Sequence, residues 1–194
     1  PGVAARLVTA DGSRAFLKAV GTELNPDSAG LHRRELRAMS VLPRMSHAPG
    51  LIAGYDDGSW VGLLMEDIEG RQPVLPWVPA ELDRTLATVT AVSERLTPSP
   101  WPDAPPVRDE LADTFAHWRR LAAKPPPDLD PWLADRLDSL ASWEREAIGV
   151  TGVTAGSSLI HLDIRADNVL LRPSGEAVLV DWAWACRAAP WLDV

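Results

Sequence analysis

Polar and apolar positions alternate with a strand-like period at the start of the chain and recur with a helix-like period further on. VAARLVTA and SRAFLKAV flank Asp11-Gly12, a two-residue turn signal, and predict a β-hairpin. In that register Leu7 opposes Phe16, Ala5 opposes Lys18 and Val3 opposes Val20. Lys18 therefore shares a face with Phe16 and Val20, residues suited to a core rather than to water. A helix follows over about Asp27 to Leu42, with Leu31, Ala38, Met39 and Leu42 on one stripe. Glu35 falls inside that stripe. A carboxylate on a buried face needs a cation, because leaving it unpaired costs roughly 3–5 kcal/mol. The nearest upstream candidate is Lys18, so two misplaced charges offer to neutralise each other.

LIAGYD and SWVGLLME around Asp57-Gly58 predict a second hairpin. Gly50, Gly54, Gly58 and Gly62 imitate a small-residue membrane-helix repeat, but Tyr55, Asp56 and Asp57 interrupt it. After Met65-Glu66-Asp67-Ile68-Glu69-Gly70 the pattern changes to proline-punctuated helix, which places a boundary near residue 70. Three amphipathic helices are expected beyond it. Leu82, Leu86, Val89 and Leu96 line the first, Leu111, Phe115, Trp118 and Ala122 the second, and Leu133, Leu137, Leu140 and Ala147 the third. Asp130-Pro131 opens the third with a cap and a proline at the first helical position. The fold class is α+β: residues 1–70 as sheet plus helix, residues 71–194 mainly helical.

The chemistry concentrates in 159–184, LIHLDIRADNVLLRPSGEAVLVDWAW. Asn168–Arg172 and Ala177–Asp181 read as strands joined by Pro173-Ser174-Gly175-Glu176. With a two- or four-residue loop, Asn168 lies directly across from Asp181, and facing Cβ atoms about 4.5–5.5 Å apart let an amide oxygen and a carboxylate share a hard cation such as Mg²⁺. A three-residue loop shifts the register by one and separates them. Alternation upstream puts Ile160, Leu162 and Ile164 on one side, His161 and Asp163 on the other. Asp163, close to the metal pair, is placed to orient or deprotonate a nucleophilic hydroxyl.

Composition narrows the partners. Apolar types make up 46% and charged types 24%, as in an ordinary soluble globular protein. The formal charge of −8 argues against nucleic acid as main partner and accommodates a cationic or neutral small molecule more easily. No apolar run approaches the roughly 20 residues of a membrane span, and PGVAARLVTADG has no signal-peptide pattern. With one cysteine, Cys186, a reducing cytoplasmic setting is expected. Trp77, Trp101, Trp132 and Trp191 each follow a proline and read as anchors where a loop meets a helix.

HLDIRADN followed by VDW resembles the HxDxxxxN catalytic loop and metal-binding aspartate of the protein-kinase-like superfamily. With tryptophan after that aspartate and no arginine after His161, the chain is most similar to the aminoglycoside phosphotransferase (choline kinase-like) family. Ala15-Phe16-Leu17-Lys18 resembles the V-A-I-K strand, Glu35 stands where that family has the helix glutamate, and Leu64-Met65-Glu66-Asp67-Ile68 resembles the adenine-binding hinge. The resemblance implies a two-lobe kinase-like fold and an ATP- and Mg²⁺-dependent transfer of the γ-phosphate to a hydroxylated small molecule. It implies that Asp163 serves the acceptor hydroxyl, Asn168 and Asp181 hold Mg²⁺, and Lys18, fixed by Glu35, holds the α- and β-phosphates. Phe16 then faces the adenine ring, while the Glu66 carbonyl and Ile68 amide bind its edge. His161 braces the loop, Arg165 is either a γ-phosphate contact or an ion-paired surface residue, and Asp193 steadies the catalytic loop. Members also have a strand and glycine-rich loop before the first hairpin and helices after the last motif, so an internal piece of a longer protein is expected. Two other classes compete: a catalytically silent kinase-like binding module, and a metallohydrolase using His161 and Asp163, for which His32, His47 and His117 have no ligand spacing.

Overall fold

The computed structural model describes residues 2–111, 116–149 and 154–193. Strands β1 (Val3–Val8), β2 (Arg14–Gly21), β3 (Leu51–Asp56) and β4 (Trp60–Glu66) form an antiparallel sheet in the order β1-β2-β4-β3. Helix α1 (Pro26–Val41) connects β2 to β3. Asn25 caps it, accepting the Ser28 N–H at 2.9 Å, and Pro26 supplies the preset first-turn backbone. Its buried side chains are Ala29, Glu35, Ala38 and Met39, so the charged residue predicted on the apolar stripe is inside.

The first hairpin is real but its register differs from the expected one. Val8 pairs with Arg14, Arg6 with Phe16 and Ala4 with Lys18. The loop is Ala10-Asp11-Gly12: Gly12 N–H reaches Thr9 O and Thr9 N–H reaches Ser13 O, both at 2.9 Å. A two-residue type I′ turn needs positive φ at both central residues. Here Gly12 alone takes it (φ +85°), while the Asp11 carboxylate accepts from Ser13 N–H at 3.0 Å and favours a turn with a bulge. The slip changes every partner on β1 and leaves Phe16, Lys18 and Val20 on one face of β2. The second hairpin turns at Gly58-Ser59, with Gly58 at φ +87°.

Beyond residue 70 lie helices α2 (Pro79–Arg95), α3 (Val107–Leu111), α4 (His117–Ala123), α5 (Pro131–Ala134) and α6 (Leu137–Gly149). Two strand pairs follow, β5 (Ser158–Ile160) with β8 (Cys186–Ala188) and β6 (Val169–Leu171) with β7 (Ala177–Leu179). One buried cluster joins Val20, Val61 and Leu63 of the sheet to Leu96, Leu159, Val169, Leu179 and Trp182.

Several helix expectations are corrected. In α2 the buried face is Thr85, Thr88, Val89 and Val92, with Leu82 and Leu86 exposed. The threonines bury because their hydroxyls find backbone acceptors, Thr85 on Glu81 O at 2.9 Å and Thr88 on Ala177 O at 3.4 Å. Of the expected stripe, Val89 and Leu96 are buried and Leu82 and Leu86 are not. The second predicted helix is represented by α3 and α4; Phe115 and the side chain of Ala147 lie outside the described residues. The third is two pieces. Asp130 accepts Leu133 N–H as expected, but α5 ends after one turn and α6 restarts at Leu137. Of the tryptophans after proline, Trp101 packs against the core, Trp77 is half-buried, and Trp132 and Trp191 are exposed rather than anchoring. No helix among the described residues is long and apolar enough to cross a membrane.

Gly156 abuts the β8 end so closely that an added Cβ would sit 2.3 Å from Ala188 O and 2.5 Å from Ala189 N. Backbone cannot yield there as a flexible side chain would. Gly156→Ala is expected to destabilise the fold by about 1–3 kcal/mol, measured as a lower midpoint in denaturant.

Candidate active site

Strand β2 turns Lys18 toward α1, where its ammonium meets both carboxylate oxygens of Glu35 at 2.9 Å. The same nitrogen lies 3.0 Å from Asp181 Oδ1. Glu35 is 2% exposed, so the pair predicted from two misplaced charges is a buried one. Burial works against the Lys18 charge, but the Glu35 and Asp181 carboxylates outweigh it and raise its pKa above the ordinary lysine value. Burial pushes Glu35 up, while Lys18 pulls it back toward ionisation.

Of the two expected registers, the β6–β7 hairpin takes that of a three-residue loop. Val169 pairs with Leu179 and Leu171 with Ala177, one residue off the register that would set Asn168 against Asp181. The loop is Pro173-Ser174-Gly175, with Gly175 at φ +92° and its N–H on Arg172 O at 2.8 Å. Glycine at the third loop position absorbs the extra residue as a bulge. Asn168, at the end of a 3-10 turn (Ala166–Asn168) rather than in a strand, accepts Val180 N–H on its backbone oxygen at 3.0 Å. Asp181 instead takes a left-handed conformation (φ +67°, ψ +67°) before the turn Trp182–Trp184. Asn168 and Asp181 still line the same cavity, brought there by that backbone reversal and not by cross-strand pairing.

Strand β5 ends at Ile160, so the alternation expected through Ile164 does not continue. Leu162 has φ +65°, strained for a branched side chain. The reversal is secured by Asp193, whose carboxylate accepts N–H groups from His161 at 2.6 Å and Leu162 at 2.9 Å. Burial pushes the Asp193 carboxyl up against those two donors, which favour its ionised form. His161 is fully buried, edge-on to Trp182 at 4.7 Å. Its Nε2–H donates to Val180 O at 3.0 Å and its Nδ1 accepts Asp163 N–H at 3.3 Å, an arrangement that fits only the neutral ring. Burial accordingly lowers its pKa below 6.5.

A buried neutral histidine has a defined pH signature. Below about pH 6.5 the unfolded chain binds a proton that the folded ring resists, so stability falls as pH drops through that window. The stability advantage of the wild type over His161→Gln is therefore expected to narrow between about pH 7.5 and about pH 5 in denaturant titrations.

Asp163 is placed by the same loop. Asn168, itself buried, donates its amide nitrogen to Asp163 O at 2.9 Å and to Asp163 Oδ2 at 3.0 Å. This fixes the amide, leaving its oxygen as the atom for a cation. Arg165 is ion-paired with Asp167 at 3.0 Å and approaches Asp163 Oδ1 at 3.5 Å, with its side chain exposed.

A cleft runs between β2, α1, the segment after β4 and the β6–β7 hairpin. Phe16, Met65, Ile68, Leu170 and Val180 supply apolar walls, with Glu66 at the rim and Lys18, Asn168 and Asp181 at the charged end. A second, more open cavity meets it at Lys18, Glu35 and Asp181 and extends past Asp163, Arg165 and Trp184. Sequence reading missed Asp67 as part of this framework. Its buried carboxylate is held by Arg6 at 3.1 Å and Arg14 at 2.8 Å, and Arg6 also donates to Ile68 O at 3.3 Å. The only signal available was an acid after β4; its partners Arg6 and Arg14 lie on the distant first hairpin, whose register differs from the expected one.

Among the described residues, no group of three or more His, Cys, Asp or Glu side chains is arranged to hold a metal ion. Asn168 and Asp181 offer oxygen donors, the ligand chemistry that suits a hard cation. A family model described as phosphotransferase enzyme family (APH) matches residues 4–194. A search of curated proteins finds no match to the chain.

Proposed function

Since this chain belongs to the APH phosphotransferase enzyme family, we propose that it transfers the γ-phosphate of ATP to a hydroxyl group of a small molecule. The observation that carries this reading is the meeting of Lys18, Glu35 and Asp181 within 2.9–3.0 Å at the junction of two cavities, one apolar and one open past Asp163. In phosphoryl transfer the protein contributes positioning and charge cancellation more than covalent chemistry.

In this reading Phe16 faces the adenine ring, and the Glu66 carbonyl and Ile68 amide bind its edge. Lys18 leaves Asp181 for the α- and β-phosphates while Glu35 keeps the ammonium in place. Asn168 and Asp181 would hold Mg²⁺, whose charge, when bound, would offset that of the phosphates. Asp163, restrained by Asn168 and by the His161–Asp193 brace, orients the acceptor hydroxyl and takes its proton. Residues 1–70 and 71–194 then act as two lobes around the nucleotide. Asp163 on the open side, in a chain of formal charge −8, favours an acceptor that is cationic or neutral.

The test is to incubate the purified protein with Mg-ATP and a panel of hydroxylated aminoglycosides, other antibiotics and metabolites, and to follow phosphate transfer by mass. A phosphorylated product, absent without Mg²⁺, is expected. Mg²⁺-dependent ATP binding with neither transfer nor hydrolysis would make the chain a silent kinase-like binding module instead.

A further inference from the structure

Arg34 sits beside Glu35 on α1 and faces a different neighbour. Its Nη1 donates to Glu110 Oε2 at 2.9 Å, and Glu110, in α3, is 9% exposed. Its Cζ lies 5.3 Å from the centre of the Trp184 ring. Trp184 closes the short turn that begins directly after Asp181. One guanidinium on the helix that carries Glu35 therefore touches two further segments, α3 and the turn that follows Asp181.

Placement matters because Asp181 is left-handed, a conformation that an aspartate keeps only where its surroundings impose it. On the near side of Asp181, Trp182 is fully buried and its indole N–H donates to Leu179 O at 3.1 Å. At the far end of the turn, Trp184 is half open to the cavity shared with Lys18 and Asp163, and Arg34 stacks on it. A cation over an indole and a single N–H bond onto a mostly buried carboxylate are both directional contacts, so they constrain the angle between α1 and the turn as well as their separation.

We propose that Arg34 is a positioning residue that locks the helix bearing Glu35 to the turn bearing Asp181, so that Lys18 and Asp181 present themselves together to a metal-bound triphosphate. This rests on the phosphotransferase reading above. It assigns Arg34 no contact with the nucleotide: α1 lines the base cleft through Glu35 and Met39, and Arg34 lines neither cavity.

The two ends of the site can be read separately with adenosine, which engages only the base cleft, and Mg-ATP, which engages both ends. In the purified protein, Arg34→Ala is expected to weaken Mg-ATP binding about tenfold while adenosine affinity changes less than about twofold. Arg34→Lys, which keeps a cation on Trp184, recovers part of the loss. The double variant Arg34→Ala/Glu110→Gln loses no more than Arg34→Ala alone, because the pair acts as a unit. Equal loss of both ligands would make Arg34 a packing residue and overturn the assignment. Unchanged Mg-ATP affinity in Arg34→Ala, in a protein whose wild type binds it, would do the same. Should Arg34→Ala fail to fold, wild-type Mg-ATP affinity in both Arg34→Lys and Glu110→Gln overturns it. A wild type that binds no Mg-ATP overturns the phosphotransferase reading itself.

Discussion

Asp163→Asn is expected to lower turnover by about 10²–10⁴-fold while leaving Mg-ATP affinity nearly unchanged. The carboxylate lines the open cavity, with Oδ2 restrained by the Asn168 amide and Oδ1 approached at 3.5 Å only by the exposed Arg165, so Oδ1 is the oxygen for an incoming hydroxyl. Asparagine keeps the shape and loses the base. Its effect therefore belongs in kcat, with the nucleotide held as before by Lys18 and the base cleft. Steady-state kinetics with the acceptor found in the panel, together with an ATP titration of the variant, check both halves. A variant that retains wild-type kcat would remove Asp163 from the reaction.

Asp181→Asn is expected to abolish the Mg²⁺ dependence of nucleotide binding and to lower kcat by about 10²–10³-fold, the scale of losing one preorganised electrostatic group. Asparagine is the informative substitution here because it tolerates the left-handed backbone at φ +67°, so the charge is removed without forcing the turn open. Lys18 keeps both contacts to Glu35 and the fold should persist. Asp181→Ala removes the same charge but adds backbone strain. A lower unfolding midpoint for alanine than for asparagine, with kcat lowered in both, is the expected pattern. Nucleotide affinity that responds to Mg²⁺ equally in wild type and Asp181→Asn would exclude Asp181 as a metal ligand.

Much of the fold was legible in the residues because its signals are local. Two alternating runs around Asp-Gly give the two hairpins, and one apolar stripe gives α1. The Lys18–Glu35 pair was legible for a sharper reason. Each charge broke the pattern of its own element, and a buried charge has few ways to be satisfied other than by another. The HxDxxxxN segment likewise keeps His161, Asp163 and Asn168 near one another along the chain, so the hydrogen bonds among them need only a short reversal.

What failed in the reading failed at turns and at faces. Both Gly12 and Gly175 adopt positive φ at the third position of a three-residue loop, and each shifts its hairpin by one residue. Nothing in the sequence distinguishes that from a two-residue turn at comparable energy. Thr85 and Thr88 lie outside the apolar stripe expected for α2, yet a threonine whose hydroxyl returns to a backbone oxygen buries its methyl like valine.

The amino-acid order by itself therefore determined which segments pair or coil, and that Lys18 and Glu35 had to find each other, because alternation, helical spacing and the penalty on an unpaired buried charge act over short stretches. Only the tertiary structure decided that Asp181 joins them through a left-handed residue, that Arg6 and Arg14 converge on Asp67, and that Arg34 links α1 to Trp184. Those contacts depend on how elements far apart in the chain are oriented against one shared core, and that orientation is set by the sum of many packing contacts rather than by any single motif.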